Sequence, residues 1–103
     1  MTLFEQKILD LVRKIPQGKI TTYEKIALKL GNKYLVRFIG NCLAKNLHLI
    51  TIPCHRVVRK DQKVGNYALG VAKKINLLQN EGIIIKRGKI VNFNKVLYDF
   101  NLN

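Results

Sequence analysis

The sequence predicts a mainly α-helical domain built on a helix-turn-helix motif, followed by a short extended segment and a small C-terminal hairpin. Two patterns typical of helix starts lie within the first 24 residues, and each precedes apolar residues at helical spacing. A tight turn at Gly31 and Asn32 then leads into a third, basic amphipathic helix. Because a chain of 103 residues has the length of one compact domain, we expect residues 1–103 to fold as a single unit.

The first helix is predicted over residues 3–15. Thr2 followed by Glu5 matches a capping box, in which each residue satisfies a backbone donor of the other. Pro16 and Gly18 then end the run. The apolar positions between them are Phe4, Ile8, Leu11, Val12 and Ile15.

The second and third helices form the predicted helix-turn-helix. Thr21 and Glu24 match a second capping box, Gly31 closes this helix, and Asn32 starts the next one. The third helix has a predicted core face and a predicted solvent-facing, basic face, on which polar or basic residues repeat every four positions. The core face is Leu35, Val36, Ile39 and Leu43, and the basic face is Lys33, Arg37, Asn41 and Lys45. A basic face of this kind is typical of a helix that enters a DNA groove. The alternative is that the face is only exposed to solvent and binds nothing.

Beyond the third helix the pattern becomes extended and then helical again. Residues 47–52 form an apolar run before Pro53 and are predicted to be extended, whereas residues 59–67 read as a polar loop. A last helix over residues 70–81 is predicted to bury Val71, Ile75 and Leu78. Residues 83–85 and 90–93 can pair as a hairpin, which gives a winged-helix-like arrangement.

The charge of the chain indicates its partner. Nineteen Lys and Arg residues against six Asp and Glu give a net charge of +13, a field that attracts polyanions. Nucleic acid is therefore the first partner to test, and a Lys-rich solvated surface is the alternative. Attraction to a membrane is the weaker alternative. Because the apolar runs are too short to span a bilayer and no signal-peptide pattern occurs, we expect no membrane partner. We expect a cytoplasmic protein, associated with the nucleoid if the source is a prokaryote.

The two cysteines differ in their surroundings. Cys54 lies between Pro53 and two groups that can be cationic, and nearby positive charge raises the thiolate fraction of a thiol. It is the candidate nucleophile, with a buried structural cysteine as the alternative, which is our interpretation of Cys42. Spacing typical of zinc ligands does not occur around either residue, so no metal site is expected.

The run Ile-Pro-Cys-His-Arg-Val-Val at residues 52–58 resembles the active-site signature of the O6-alkylguanine-DNA alkyltransferases, whose alkyl acceptor is the cysteine of Pro-Cys-His-Arg. Val-Gly-Asn-Tyr at 64–67 and Leu-Leu-Gln-Asn-Glu-Gly at 77–82 resemble the family's binding loop and closing helix. Upstream, Tyr23, Arg37 and Asn46 lie at the family's separations. The resemblance covers residues 3–85.

This resemblance implies an activity. The chain would repair DNA as a methylated-DNA–protein-cysteine S-methyltransferase, flipping the damaged guanine out and moving its alkyl group irreversibly to Cys54. The reaction would need no metal and no organic cofactor. The partner would be double-stranded DNA containing O6-alkylguanine, bound by a monomer that can load in several copies along the duplex.

The resemblance also implies residue roles. Cys54, His55 and Glu81 would be catalytic, with a proton passing through a bridging water, and Asn46 and Arg56 would support the structure. Arg37 would fill the gap left by the flipped base, and Lys33, Asn41 and Lys45 would contact DNA. The substrate would be bound by Tyr23, Leu43, Val57, Gly65, Tyr67, Ala68, Leu69 and Lys74. Without the resemblance, Tyr23 would be interpreted as half-buried core.

Two departures and three alternatives accompany this interpretation. Many members carry an additional N-terminal domain, whereas only the DNA-binding and transferase domain is expected here. Leu69 replaces a residue that is often small, so we expect methyl groups to be transferred faster than benzyl groups. The alternatives are a non-enzymatic alkyltransferase-like protein, in which another residue often replaces the cysteine, a helix-turn-helix regulator, and a thiol hydrolase.

Overall fold

The computed structural model describes residues 2–45 and 51–101 and confirms the mainly helical helix-turn-helix fold. Short 3-10 turns at Lys33–Leu35 and Cys54–Arg56 precede the third helix and the second strand. In chain order the elements are α1 (Leu3–Arg13), β1 (Thr21–Thr22), α2 (Tyr23–Lys29), α3 (Val36–Ala44), β2 (Val57–Val58), α4 (Val71–Asn80), β3 (Ile85–Lys86), β4 (Lys89–Ile90) and α5 (Phe93–Val96).

Helix α1 begins with the predicted capping box. The backbone N–H of Glu5 donates to the Thr2 hydroxyl at 3.1 Å, and the Thr2 N–H donates to the Glu5 carboxylate at 3.0 Å. The helix ends at Arg13, earlier than predicted, because the next two N–H groups bond carbonyls three residues back. Ile15 is nevertheless buried, as its spacing indicates.

Helix α2 begins one residue later than the sequence indicates, so the predicted capping box of Thr21 and Glu24 is wrong. Thr22 is the cap, and its side chain accepts from the Lys25 N–H at 3.0 Å. Thr21 instead lies in β1, and its hydroxyl donates to the carbonyl of Tyr98 at 2.7 Å. Pairing with β2 keeps the backbone extended through Thr21, and this long-range contact outweighs the local signal.

The turn between α2 and α3 uses the predicted residues. Gly31 adopts a φ of +87°, and the Asn32 side chain accepts from the Tyr34 N–H at 2.9 Å. The chain then makes a 3-10 turn before α3, which changes the helical phase. Ile39 is buried as predicted, but Val36 is 39% exposed, so its assignment to the core is wrong.

The segment that carries Cys54 turns before it extends. Asn46 and residues 47–50 of the predicted extended run lie outside the described residues. At Pro53 the chain turns tightly, and the Cys54 N–H donates to the Ile52 carbonyl at 2.7 Å. Strand β2 follows and pairs in parallel with β1, Thr21 opposite Val57. This two-stranded sheet places the start of α2 beside the Cys54 segment.

The last predicted helix is confirmed as α4, but only part of its predicted buried face is buried. Leu78 is fully buried, whereas Val71, at the first position of the helix, is 43% exposed and its predicted burial is wrong. Lys74 is fully buried one turn before Leu78. A basic residue therefore occupies the core-facing stripe where the periodicity indicates apolar side chains.

The C-terminal hairpin is confirmed with shifted strand bounds. Strands β3 and β4 are antiparallel, with Ile85 opposite Ile90 and Lys86 opposite Lys89. Phe93 belongs to α5 rather than to a strand. Beyond it, Phe100 is buried among residues of α1, α2 and α3.

Two apolar clusters organise the fold. The first joins α1, α2 and α3 with the segment around Cys54, and the second joins Ile20, β2, Val64 and Leu78 with the hairpin and α5. Strands β1 and β2 connect the two clusters. Across the described part of the chain, the helices are too short or too polar to cross a lipid bilayer.

Candidate active site

An open cleft of about 980 Å³ lies between the helix-turn-helix and the loop that precedes α4. Its walls come from the start of α2, one face of α3, the Cys54 turn and residues 65–68. The lining residues are Tyr23, Lys33, Tyr34, Val36, Arg37, Gly40, Asn41, Leu43, Ala44, Cys54, Arg59, Gly65, Asn66, Tyr67 and Ala68.

Cys54 lies at the inner wall of this cleft. It begins the 3-10 turn after Pro53 and is 5% exposed. Tyr23 and Tyr67 line the same cleft, and for both burial and the nearby Cys54 raise the pKa of the phenol. Both hydroxyl groups therefore stay protonated and can donate hydrogen bonds to a ligand.

Behind Cys54, three side chains form a compact polar network. Nε2 of His55 lies 3.0 Å from Oε2 of Glu81, and Arg56 donates to both carboxylate oxygens, at 2.9 and 2.6 Å. Arg56 also donates to the Ile15 carbonyl at 2.8 Å. Burial raises the pKa of Glu81, but the hydrogen bonds from Arg56 and His55 outweigh it and hold that pKa below the usual value. Glu81 is therefore ionised at neutral pH.

His55 is poised as a neutral base. Burial lowers its pKa, and the hydrogen bond and charge of Glu81 oppose this shift only in part. Its ring is 1% exposed, and within residues 2–45 and 51–101 no side chain or backbone group bonds Nδ1. Because Glu81 is bound through Nε2, Nδ1 is the nitrogen that can take a proton.

Lys74 ties together the two chain segments that flank Cys54. Its Nζ donates to the Val57 carbonyl at 2.7 Å and to the Asn66 carbonyl at 3.0 Å. Burial lowers the pKa of Lys74 to about 7, although Cys54 acts in the opposite direction. The ammonium form and the neutral amine are thus close in free energy at neutral pH.

The loop before α4 is held close to this lysine. Gly65 has a φ of +80°, and a Cβ there would lie 3.1 Å from Cγ of Arg59 and 3.7 Å from Nζ of Lys74. The ring of Tyr67 meets that of His55 edge-on, with centroids 6.4 Å apart. Its hydroxyl is buried with no hydrogen-bond partner among the described residues, so a ligand can bond it.

The structure brings most of the predicted residues together. Lys33, Arg37 and Asn41 of the basic face line the cleft, but Lys45 does not. Val57, Leu69 and Lys74 lie outside the lining, and Leu69 is 53% exposed. The effect of Leu69 on the size of the alkyl group therefore stays a prediction. Asn46 lies outside the described residues, and Cys42 is buried in the first apolar cluster as interpreted.

Sequence reasoning missed several lining residues. Val36, Gly40 and Ala44 repeat every four positions beside Arg37 and Asn41, so the cleft face of α3 is partly apolar and small. Their spacing could have identified them. Tyr34 and Arg59 carried no comparable signal, because a 3-10 turn and a loop place them in the cleft.

Comparison with known proteins gives consistent matches. Residues 3–83 match the DNA-binding domain of 6-O-methylguanine DNA methyltransferase. The methylated-DNA–protein-cysteine methyltransferase of Scheffersomyces stipitis is 43% identical over 81 residues, which cover 78% of this chain and 42% of that protein. The chain spans 28 to 47% of the length of the first curated relatives it matches.

Solved structures agree with these matches. The Mycobacterium tuberculosis OGT in complex with DNA has a TM-score of 0.77 and 32% identity, over 80% of this chain and 50% of that chain. S. pombe Atl1, in complex with damaged DNA containing O6-carboxymethylguanine, has a TM-score of 0.83 and 25% identity, over 95% and 98% of the two chains. The chain therefore belongs to the 6-O-methylguanine DNA methyltransferase family and carries its DNA-binding domain.

Proposed function

We propose that this protein repairs DNA by moving an alkyl group, methyl above all, from O6 of guanine in double-stranded DNA to the sulfur of Cys54. One observation carries the proposal: Cys54 lies at the inner wall of a cleft bordered by the basic residues Lys33 and Arg37, with the His55–Glu81 pair behind it. The proposal agrees with the relatives, which are named for transfer from methylated DNA to a protein cysteine.

Access to the guanine requires that the base leave the duplex. Extrusion costs a few kcal/mol, and least for a damaged or mispaired base. Arg37 lines the cleft on α3 and is exposed, so it can take the place of the extruded base in the stack. Lys33, in the 3-10 turn before α3, and Asn41, on α3, line the same cleft, where they would contact the DNA backbone.

In the cleft, the base would lie between Tyr67 and Leu43, with Tyr23 beside its phosphate. Residues 65–68 line the cleft, and their backbone N–H groups would be the donors to the base. Donors aimed at O6 would stabilise the negative charge that develops there as the alkyl group departs. Lys74 contributes by holding Val57 and Asn66 at a fixed separation around the cysteine.

The chemical step is an in-line displacement. The Cys54 thiol passes its proton, through a bridging water, to Nδ1 of His55, whose other nitrogen is bound by Glu81. The carbon–sulfur bond forms as the carbon–O6 bond breaks. The guanine anion leaves with that electron pair and takes up one proton from solvent water. The thioether is not hydrolysed by water, so each molecule reacts once and needs no metal or organic cofactor.

The decisive experiment is intact mass spectrometry after mixing the protein with a duplex that contains O6-methylguanine. Wild type should gain one methyl group, and Cys54→Ser none, while Cys42→Ser should gain it like wild type. A methyl group on another residue, or on none, would refute the proposed transfer.

A second candidate is a lesion-binding protein without transfer activity. The match to S. pombe Atl1 over nearly the whole of both chains favours it. In that case wild type and Cys54→Ser should bind the O6-methylguanine duplex equally tightly, and the methyl group should stay on the DNA.

A further inference from the structure

The hairpin of β3 and β4 is extended by a third backbone segment, residues 62–64. The Val64 N–H donates to the Gly88 carbonyl at 3.1 Å, and the Ile90 N–H donates to the Gln62 carbonyl at 2.9 Å. Lys63 thereby lies opposite Lys89 in an antiparallel bridge. We call this three-segment unit, residues 62–64 with β3 and β4, the wing.

The wing has one apolar face and one cationic face. Residues directly opposite each other across strands point to the same side of a sheet, about 5 Å apart. Lys63 is opposite Lys89, and Lys89 is opposite Lys86, so these three side chains form one row, the wing lysines. Their neighbours Val64 and Ile90 are buried in the second apolar cluster, on the other face.

The charge of this row is compensated only weakly in the described part of the protein, by the charge of Asp61 beside Lys63. The three wing lysines are exposed, and none joins an ion pair in the described parts of the chain. The nearby Asp61 is paired with Arg59 at 2.9 Å. Like charges directly opposite each other destabilise a sheet. A row of three therefore has a cost to folding that a bound polyanion would relieve.

The wing is continuous with the wall of the cleft. Arg59 precedes its first segment and Gly65 follows it, and both residues line the cleft around Cys54. The segment between these two residues therefore places Lys63 near the cleft, and the pairing places Lys89 and then Lys86 next in the row. The turn of the hairpin adds a further positive charge, Arg87, next to the wing lysines. Its φ of +53° is uncommon for a residue other than glycine.

We propose that the wing lysines Lys63, Lys86 and Lys89 bind successive backbone phosphates of DNA on one side of the damaged base. This proposal rests on the proposed function, since it takes DNA as the ligand of the cleft. The wing would fix the protein on the duplex and would carry no sequence information, because phosphates are the same at each step.

The test compares two triple variants that lose the same charge. One replaces Lys63, Lys86 and Lys89 by Gln, and the control replaces Lys7, Lys14 and Lys95, which are exposed and do not line the cleft. Binding to an undamaged duplex is measured against salt concentration. Each lost phosphate contact should lower the steepness of log K against log salt by about 0.9, so the wing variant should lose between about 2 and 3.

The control variant should change that slope by less than the value of one phosphate contact, about 0.9. Equal slopes for the two variants, or a wing variant with the slope of wild type, would overturn the proposal, because binding would then follow net charge alone or other residues. The wing variant should melt no lower than wild type, since it removes like-charge repulsion, and this keeps misfolding from imitating the result. Undamaged DNA leaves the methyl-transfer reaction out of the measurement, so the two proposals fail separately.

Discussion

The guanidinium of Arg56 holds the carboxylate of Glu81 through two hydrogen bonds, from Nε to Oε1 at 2.9 Å and from Nη2 to Oε2 at 2.6 Å. His55 shares Oε2 with it, at 3.0 Å. A third bond, from Nη1 to the Ile15 carbonyl, attaches the same guanidinium to the chain just after α1. Arg56 is thus the residue through which the packing of α1 positions the proposed proton relay.

Replacing Arg56 by Ala should lower the free energy of unfolding by about 3 kcal/mol, because the Glu81 carboxylate would lose its main partner at a site that is nearly closed to water. Arg56→Lys should recover only part of this loss, since an ammonium cannot bind both oxygens in the same way. Urea unfolding measures both variants. Equal stability of Arg56→Lys and wild type would contradict the role of the bidentate geometry.

Replacing Glu81 by Gln should slow methyl transfer by about 100-fold while leaving the affinity for DNA unchanged. The rate should rise with pH as His55 loses its proton. Because the carboxylate raises the pKa of His55, its removal should move this rise to lower pH. Rapid-mixing measurements over the pH range of histidine titration test both effects, with His55→Gln as the control that should abolish the rise. An unmoved pH profile would exclude the proposed relay.

Lys74 should make the stability of the protein depend on pH. Its pKa is lowered to about 7 in the folded protein, whereas an unfolded chain keeps it near 10.4. Between these values the unfolded chain binds more protons, so the free energy of unfolding rises with pH. Relative to Lys74→Met, wild type should gain about 2 kcal/mol from pH 7 to 9. The exposed neighbour in Lys73→Met should leave the wild-type slope unchanged.

The start of α2 offers a test of which threonine caps it. Thr22→Ala should lower the free energy of unfolding by about 1 kcal/mol, because the Lys25 N–H loses its acceptor. Glu24→Gln should change it by less than about 0.5 kcal/mol, since its ion pair with Lys60 is exposed and no capping box forms. A larger loss from Glu24→Gln than from Thr22→Ala would restore the capping box predicted from sequence.

Local spacing predicted the helices well and their exact ends less well. α1 and α4 lie where the apolar period indicates, and the turn at Gly31 and Asn32 is as expected. The error at the start of α2 concerns a residue whose partner is distant in sequence, because Thr21 pairs with Val57. A capping pattern extends over four residues, and it carries no information about a strand that arrives more than thirty residues later.

For the candidate site too, some features follow from the sequence alone and others only from the tertiary structure. The sequence by itself determined the groups on which the proposed chemistry depends, because the run around Cys54, the basic residues Lys33 and Arg37 and the net charge of +13 are local or additive properties. Only the tertiary structure decided that Lys74 is fully buried, that Arg56 holds Glu81, and that three lysines share one face of the wing. Burial and strand register depend on contacts between segments far apart in the chain, and periodicity within one segment does not encode them.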